Sequence, residues 1–297
     1  MQGAVGSNEQ MIRPNGIDLC VETFGGRTDQ PILLIGGAAA SMDWWEDEFC
    51  ERLASHSRFV IRYDNRDTGG SVTYPPGAPP YTGQDLADDA IGVLDALGLT
   101  SAHVVGISMG GGIGQRLAVE HADRVASLTL LSTSPGGPGG PDNPGLPPMS
   151  DRLRETFAAP PSEPDWSDRE AVVEYIVDGE RTFAGSIPFD EAHVRDLAER
   201  IVDRTDNIAS TMTNHWMIDG GEPVRGRLGD VTAPTLVMHG TDDPLFPYGH
   251  AEALAGEIPG ARLVPLPGVG HQMPPRAVWD IVVPAIVQHT SARPATR

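Results

Sequence analysis

Lysine is missing from this 297-residue chain; all 21 basic side chains are arginine. Its absence excludes a Schiff-base lysine, a phosphate-loop lysine and a Ser–Lys mechanism. Cysteine is scarce, with only Cys20 and Cys50. Two thiols cannot build a disulfide framework, and neither has metal-ligand spacing, so both read as small buried hydrophobes and no metal site is expected. Positive charge is also short: 41 acidic side chains against 21 basic ones leave a formal net charge of −20. Nucleic acid is therefore excluded as a partner, because backbone phosphates must be met by positive charge. No uninterrupted apolar stretch reaches membrane-spanning length, and the opening MQGAVGSNEQ lacks the basic start and apolar run of a signal peptide. The expectation is a soluble cytoplasmic protein with no membrane partner, and a homo-oligomer stays open. An acidic, lysine-free surface suits salt tolerance, but the arginine bias of a GC-rich genome accounts for it more simply.

Hydrophobic residues are present at 39%, enough for a packed core. Short Val/Ile/Leu-rich runs recur. Ile17–Phe24 alternates like an exposed early strand. Pro31–Ile35, Phe59–Tyr63, Ala102–Ile107, Ser127–Leu131, Thr235–His239 and Arg262–Leu266 read as strands buried on both faces. Helical patterns near Trp44–Ser55, Thr82–Leu97, Met109–His121, Gly249–Ile258 and Arg276–His289 separate them. This alternation predicts a mainly parallel central sheet with helices on both faces. Right-handed crossovers then gather the carboxyl ends of the strands, and any active site, along one edge. The rhythm breaks at Ser134–Pro148, where six prolines and five glycines fill fifteen positions. Helical texture alone follows, over Asp151–Phe157, Asp168–Phe183, Asp190–Ile201 and Thr205–Met217, before strands resume at Thr235. The expected organisation is a core of residues 1–133 and 223–297, with 134–222 forming a Pro/Gly hinge and an inserted helical cap over the strand ends.

Gly106-Ile107-Ser108-Met109-Gly110 carries the strongest chemical signal. It follows a predicted buried strand and opens a predicted helix, the context in which Gly-x-Ser-x-Gly presents a nucleophile. The glycines let neighbouring backbone approach while Ser108 takes a strained conformation that projects its hydroxyl. A serine nucleophile needs a general base, and that base needs an orienting acid. Asp243 follows the late strand Thr235–His239, and His271 follows the next strand in a Gly/Pro loop, so the order is Ser108, Asp243, His271. Gly36 to Ala40 carry almost no side chain, which leaves amides free to face a substrate oxygen. Gly37 or Ala38 supplies the first donor of an oxyanion hole, and the amide of Met109 the second. Met42, Trp44, His215, Trp216, Phe246 and Met273 are candidates for lining a substrate pocket, although methionines and aromatic side chains serve equally well as core. The other seven histidines, His56, His103, His121, His193, His239, His250 and His289, read as structural or solvated.

With these residues in view the sequence resembles the α/β-hydrolase superfamily, from about Met11 to Gln288. The Arg66-Asp67-Thr68-Gly69 segment, with Asp67 where most members write glycine, Gly36-Gly37 in place of a frequent His-Gly, and Gly106-Ile-Ser-Met-Gly-Gly together resemble the aclacinomycin methylesterase group. The resemblance implies an α/β-hydrolase fold and a cofactor-free carboxylic ester hydrolase acting on a small to medium-sized ester. It also implies Ser108, Asp243 and His271 as the triad and Met109 with Gly37 as oxyanion donors; Asp64 and Arg66 are expected to brace their loop. Thioesterase, carbon–carbon bond hydrolase and cofactor-free haloperoxidase chemistry use the same triad, and a slow-turnover ligand receptor is the alternative from another class.

Overall fold

A computed structural model describes residues 9–137, 139, 140 and 143–291. Residues 1–8, which hold most of the opening segment, and Pro138, Pro141 and Asp142 of the Pro/Gly stretch lie outside the described residues, as do 292–297 at the end of the expected core.

Eight strands form one sheet: β1 (Gln10–Ile12), β2 (Leu19–Phe24), β3 (Gln30–Ile35), β4 (Arg58–Tyr63), β5 (Ala102–Ile107), β6 (Val125–Leu131), β7 (Thr235–Gly240) and β8 (Arg262–Leu266). Their order is β1-β2-β4-β3-β5-β6-β7-β8. Pairing is antiparallel from β1 to β2 and from β2 to β4, and parallel from β4 onward. The sheet is covered on both faces: its central strands are buried almost throughout, mainly through Val, Ile and Leu, and the polar side chains among them, such as Arg58, Arg62 and His103, are hydrogen-bonded. In β3, Leu33 and Ile35 face one core with helices α2 (Gly83–Ala96), α3 (Met109–Glu120) and α8 (Gly249–Glu257), while Ile32 and Leu34 face a second with α1 (Asp47–Ala54) and α9 (Trp279–His289). Strand side chains alternate across the pleat, so a two-sided sheet needs an unbroken apolar run.

Several expectations need correction. β1 was not anticipated; its three residues, two of them exposed, carry no readable alternation. β8 is not buried on both faces, since it is the sheet edge and only Leu266 is fully covered. The helix expected from Trp44 begins at Asp47, after a 3-10 turn over Met42–Trp44. The one expected over Thr205–Met217 divides into α7 and a further turn at Asn214–Trp216, and the last helix begins at Trp279.

Between β6 and β7 the inserted segment holds α4 (Asp151–Ala158), α5 (Arg169–Phe183), α6 (Glu191–Arg204) and α7 (Ile208–Thr213). Ser150, Asp168, Asp190 and Asn207 each accept a backbone N–H from the first turn, the usual chemistry of a helix start. Val172, Val173, Ile176, Val177 and Ala198 form a small core between α5 and α6. Polar ties hold the segment to the sheet domain. Arg204 donates to Asp43 at 2.8 Å and to both oxygens of the buried Asp64 at 2.7 and 2.8 Å. Thr211 Oγ1 donates to the Asp67 carbonyl, and Asn214 Nδ2 to the Asp67 carboxylate at 2.9 Å. His250 pins both ends of the Pro/Gly stretch, through Ser134 Oγ at 2.9 Å and the Pro147 carbonyl at 2.8 Å. Cys20 and Cys50 are buried free thiols, and burial pushes both up to about 12.

Candidate active site

Ser108 sits between β5 and α3 with φ 52° and ψ −117°, a left-handed backbone that costs a non-glycine residue energy. The turn is tight enough to require its glycines. A Cβ on Gly106 would lie 2.1 Å from the Gly110 carbonyl oxygen, and one on Gly110 would lie 2.3 Å from that of Ile35. The strained residue is held from both sides: its N–H donates to the Leu131 carbonyl at 3.0 Å, and Thr133 Oγ1 donates to its own carbonyl at 2.8 Å.

Ser108 Oγ is 3.0 Å from His271 Nε2, and His271 Nδ1 is 2.8 Å from Asp243 Oδ2. The other Asp243 oxygen accepts the amides of Leu245 and Phe246 at 2.9 and 2.8 Å. Burial works against ionising Asp243, but the charge of His271 and hydrogen bonds from His239 and His271 outweigh it and hold the carboxyl well below its usual range. Asp242 points to solvent and bonds Thr241 and Ser186. The loop carrying His271 leans on the inserted segment. Its amide donates to the Phe183 carbonyl at 2.9 Å, the Ile187 amide donates to Gly268 at 3.0 Å, and the Phe183 ring packs at 5.9 Å from the imidazole.

A cavity of about 890 Å³, part of it open to solvent, lies over Ser108 and His271. Gly37 to Ala40 form one wall, and Trp44, Trp216 and Met273 line it as expected. Three expected pocket residues lie elsewhere. Met42 is buried in the turn beyond β3, its amide donating to Asp64 at 2.7 Å. Phe246 packs edge-on against His271 at 5.1 Å, in a cluster with Leu153 and Leu245. His215 is buried, with Nδ1 accepting the Ala39 amide at 3.0 Å and Nε2 donating to the Arg66 carbonyl at 2.8 Å. Burial pushes its imidazole below the usual value, in keeping with a neutral ring that accepts at one nitrogen and donates from the other. That bond uses up the Ala39 amide, whereas those of Gly37, Ala38 and Met109 have no acceptor among the described residues. The Met109 side chain itself packs into the core.

Asp64 and Arg66 brace the loop after β4. Arg66 makes a two-pronged bond to Asp89 at 2.6 and 2.9 Å. Asp67 has φ 63°, which explains why glycine is common there, and its carboxylate accepts from Tyr81 at 2.6 Å and from the Tyr74 amide at 2.6 Å.

Sequence reasoning missed three residues. His239, taken as structural, is wholly buried with Nε2 donating to the Phe246 carbonyl at 2.7 Å and lying 3.3 Å from Asp243 Oδ2. Its position four residues before Asp243 was the available signal. Phe183 and Glu180 of α5 line the cavity. Glu180 follows Ile176 by four residues and Val177 by three, so an acid on that apolar stripe was the clue. No group of three or more His, Cys, Asp or Glu side chains among the described residues could hold a metal ion, and no described helix is long and apolar enough to cross a membrane.

Known proteins carry the same architecture. The family model described as alpha/beta hydrolase fold matches residues 30–274. Rhodomycin D methylesterase DauP of Streptomyces sp. (strain C5) is 36% identical over 95% of this chain and 98% of its own length, and DnrP of Streptomyces peucetius, also a rhodomycin D methylesterase, is 36% identical over the same shares. Among solved structures, the enol-lactonase from Burkholderia xenovorans LB400 superposes with a TM-score of 0.73 at 24% identity, covering 95% of this chain and all of that one. A hydrolase from Pseudomonas aeruginosa PA01 gives 0.72 at 24% identity, covering 96% and 99%. At that identity the two structures speak for the fold alone. With the family model spanning most of the chain and methylesterases matching it nearly end to end, the protein belongs to the α/β-hydrolase family, is a hydrolase and resembles its methylesterase group.

Proposed function

We propose that the protein hydrolyses a carboxylic ester, methyl esters first among them, through an acyl-enzyme on Ser108. His271 Nε2 takes the Ser108 proton as Oγ attacks the ester carbonyl carbon, and the oxyanion turns toward the amide of Met109 and that of Gly37 or Ala38. His271 returns the proton to the departing alkoxide as the C–O bond breaks, and the alcohol leaves. Water then attacks the acyl-enzyme by the same route, giving the free acid and restoring Ser108. Asp243 holds His271 in the tautomer that presents Nε2 as the base. The inserted helices act as a cap that selects the substrate, since Trp216 and α5 line the cavity beside Ser108. No cofactor enters this sequence of steps.

The observation that carries the reading is the unbroken chain from Asp243 through His271 to Ser108 at hydrogen-bond distance. Its test is hydrolysis of an activated aryl acetate and of methyl esters of graded acyl length by wild type and Ser108→Ala. Loss of a triad serine costs about six orders of magnitude in turnover. A variant that keeps near-normal rates would end the acyl-enzyme mechanism.

A further inference from the structure

The cavity over Ser108 is walled mainly by small, aliphatic and aromatic side chains, with Gln272 beside His271, and Glu180 is the one carboxylate on its lining among the described residues. No arginine among the described residues lines it. Glu180 makes no hydrogen bond or ion pair among the described residues, although most charged side chains near it are matched. It also borders an adjoining cavity of about 850 Å³, where Glu46, Asp190, His193 and Arg276 lie. There Arg276 bonds Glu46 at 2.6 Å, His193 Nε2 lies 3.0 Å from Glu46, and Asp190 caps α6. Across the first cavity the facing titratable group is His271, itself held between Asp243 and Ser108. An acid on the apolar stripe of a helix, left without a partner, is costly unless it serves a ligand.

Resting on the esterase reading, we propose that Glu180 is a specificity-determining residue that receives a cationic ammonium group carried by the ester substrate, at the passage between the two cavities. The carboxylate gives the charge its counter-ion, and Trp44, Trp216 and Phe183 line the same cavity with aromatic rings, which attract cations to their faces. A net charge of −20 favours approach of a cation over that of an anion. Burial pushes the Glu180 carboxyl up to about 7, so the empty site passes between neutral and charged forms near neutrality. A cation favours the charged form, so its advantage over a neutral isostere grows as pH rises through about 7.

The test uses methyl esters of acids ending in a trimethylammonium group and counterparts ending in tert-butyl, at matched spacer lengths. The two ends share a shape, and the quaternary nitrogen does not titrate. Wild type should favour the cationic ester in kcat/KM by roughly tenfold above neutrality, with the ratio falling toward one as the pH is lowered. Glu180→Gln should bring the ratio near one at every pH. Taking the ratio removes whatever the two hydrolyses share. Wild type that hydrolyses both esters equally, or a ratio unchanged by Glu180→Gln, overturns the assignment while leaving the esterase reading intact. Preference for a hydroxyl-ended ester over the cationic one also overturns it, by making Glu180 a partner for neutral donors. Should neither ester be hydrolysed, the esterase reading fails, and calorimetric binding of the same pair to wild type and Glu180→Gln still decides the cation site. If Glu180→Gln does not fold, the pH dependence of the wild-type ratio decides alone.

Discussion

Asp242 and Asp243 stand side by side, and one peptide unit separates a solvated acid from a buried one. We expect Asp243→Asn to lose about four orders of magnitude in turnover through the wrong histidine tautomer, and Asp242→Asn to keep most activity, measured on the same aryl ester. The depressed carboxyl of Asp243 has a second consequence. Its folded-state value lies below the unfolded one of about 3.9, so the stability it contributes is complete above that pH and is lost as pH falls through the folded value. Denaturant midpoints between pH 6 and 3, in roughly that range, should therefore fall less steeply in Asp243→Asn than in wild type. The three proposed triad members were legible because each occupies a fixed place in a strand–turn pattern. Met42, His215 and Phe246 were misplaced because residue type says nothing about direction: a hydrogen bond from the Met42 N–H to Asp64, hydrogen bonds at both ring nitrogens of His215 and the aromatic contact of Phe246 with His271 hold them away from the cavity.

Among the elements, α6 is joined to the sheet domain by Arg204, whose guanidinium spans Asp43 and Asp64. Removing it leaves Asp64, with no exposed side-chain surface, without a counter-charge among the described residues and held only by the amides of Met42 and Gly70. Arg204→Ala should cost about 3 kcal/mol, the low end for a broken buried pair because Arg204 itself keeps 19% of its side chain exposed. Arg204→Lys should recover only part of that loss, since an ammonium lacks the planar fork with which the guanidinium meets both Asp64 oxygens and Asp43 together. Denaturant melts of the three proteins check both. Helices of the inserted segment could be read within a few residues because Ser150, Asp168, Asp190 and Asn207 start them; β1 carries too little buried pattern to be read, and β8 was read at its observed bounds but with more burial than its edge position gives. The contact from Phe183 to the His271 loop joins residues 88 positions apart, and no local pattern encodes it.

For the molecule as a whole, 41 carboxylates and 21 guanidiniums leave a strong excess of one sign. Self-repulsion on that scale destabilises the compact state and is screened within about 10 Å at 0.1 M salt. The melting temperature should therefore rise between low salt and about 0.5 M sodium chloride, and a fall would show that screening of Arg204-type pairs dominates. The mostly parallel sheet was legible at this scale because β3, β4, β5, β6 and β7 each carry a Val/Ile/Leu-rich run buried on both faces. The two cysteines add a practical property. Both thiols are buried and pushed up to about 12, so neither offers a thiolate to a disulfide reagent at neutral pH. With lysine also absent, the native chain is nearly silent to the common labelling chemistries. Its two thiols become a built-in clock: modification by a coloured disulfide should follow the rate at which the protein opens, and a cysteine installed at the exposed Met217 should be tagged in seconds, well before either native one.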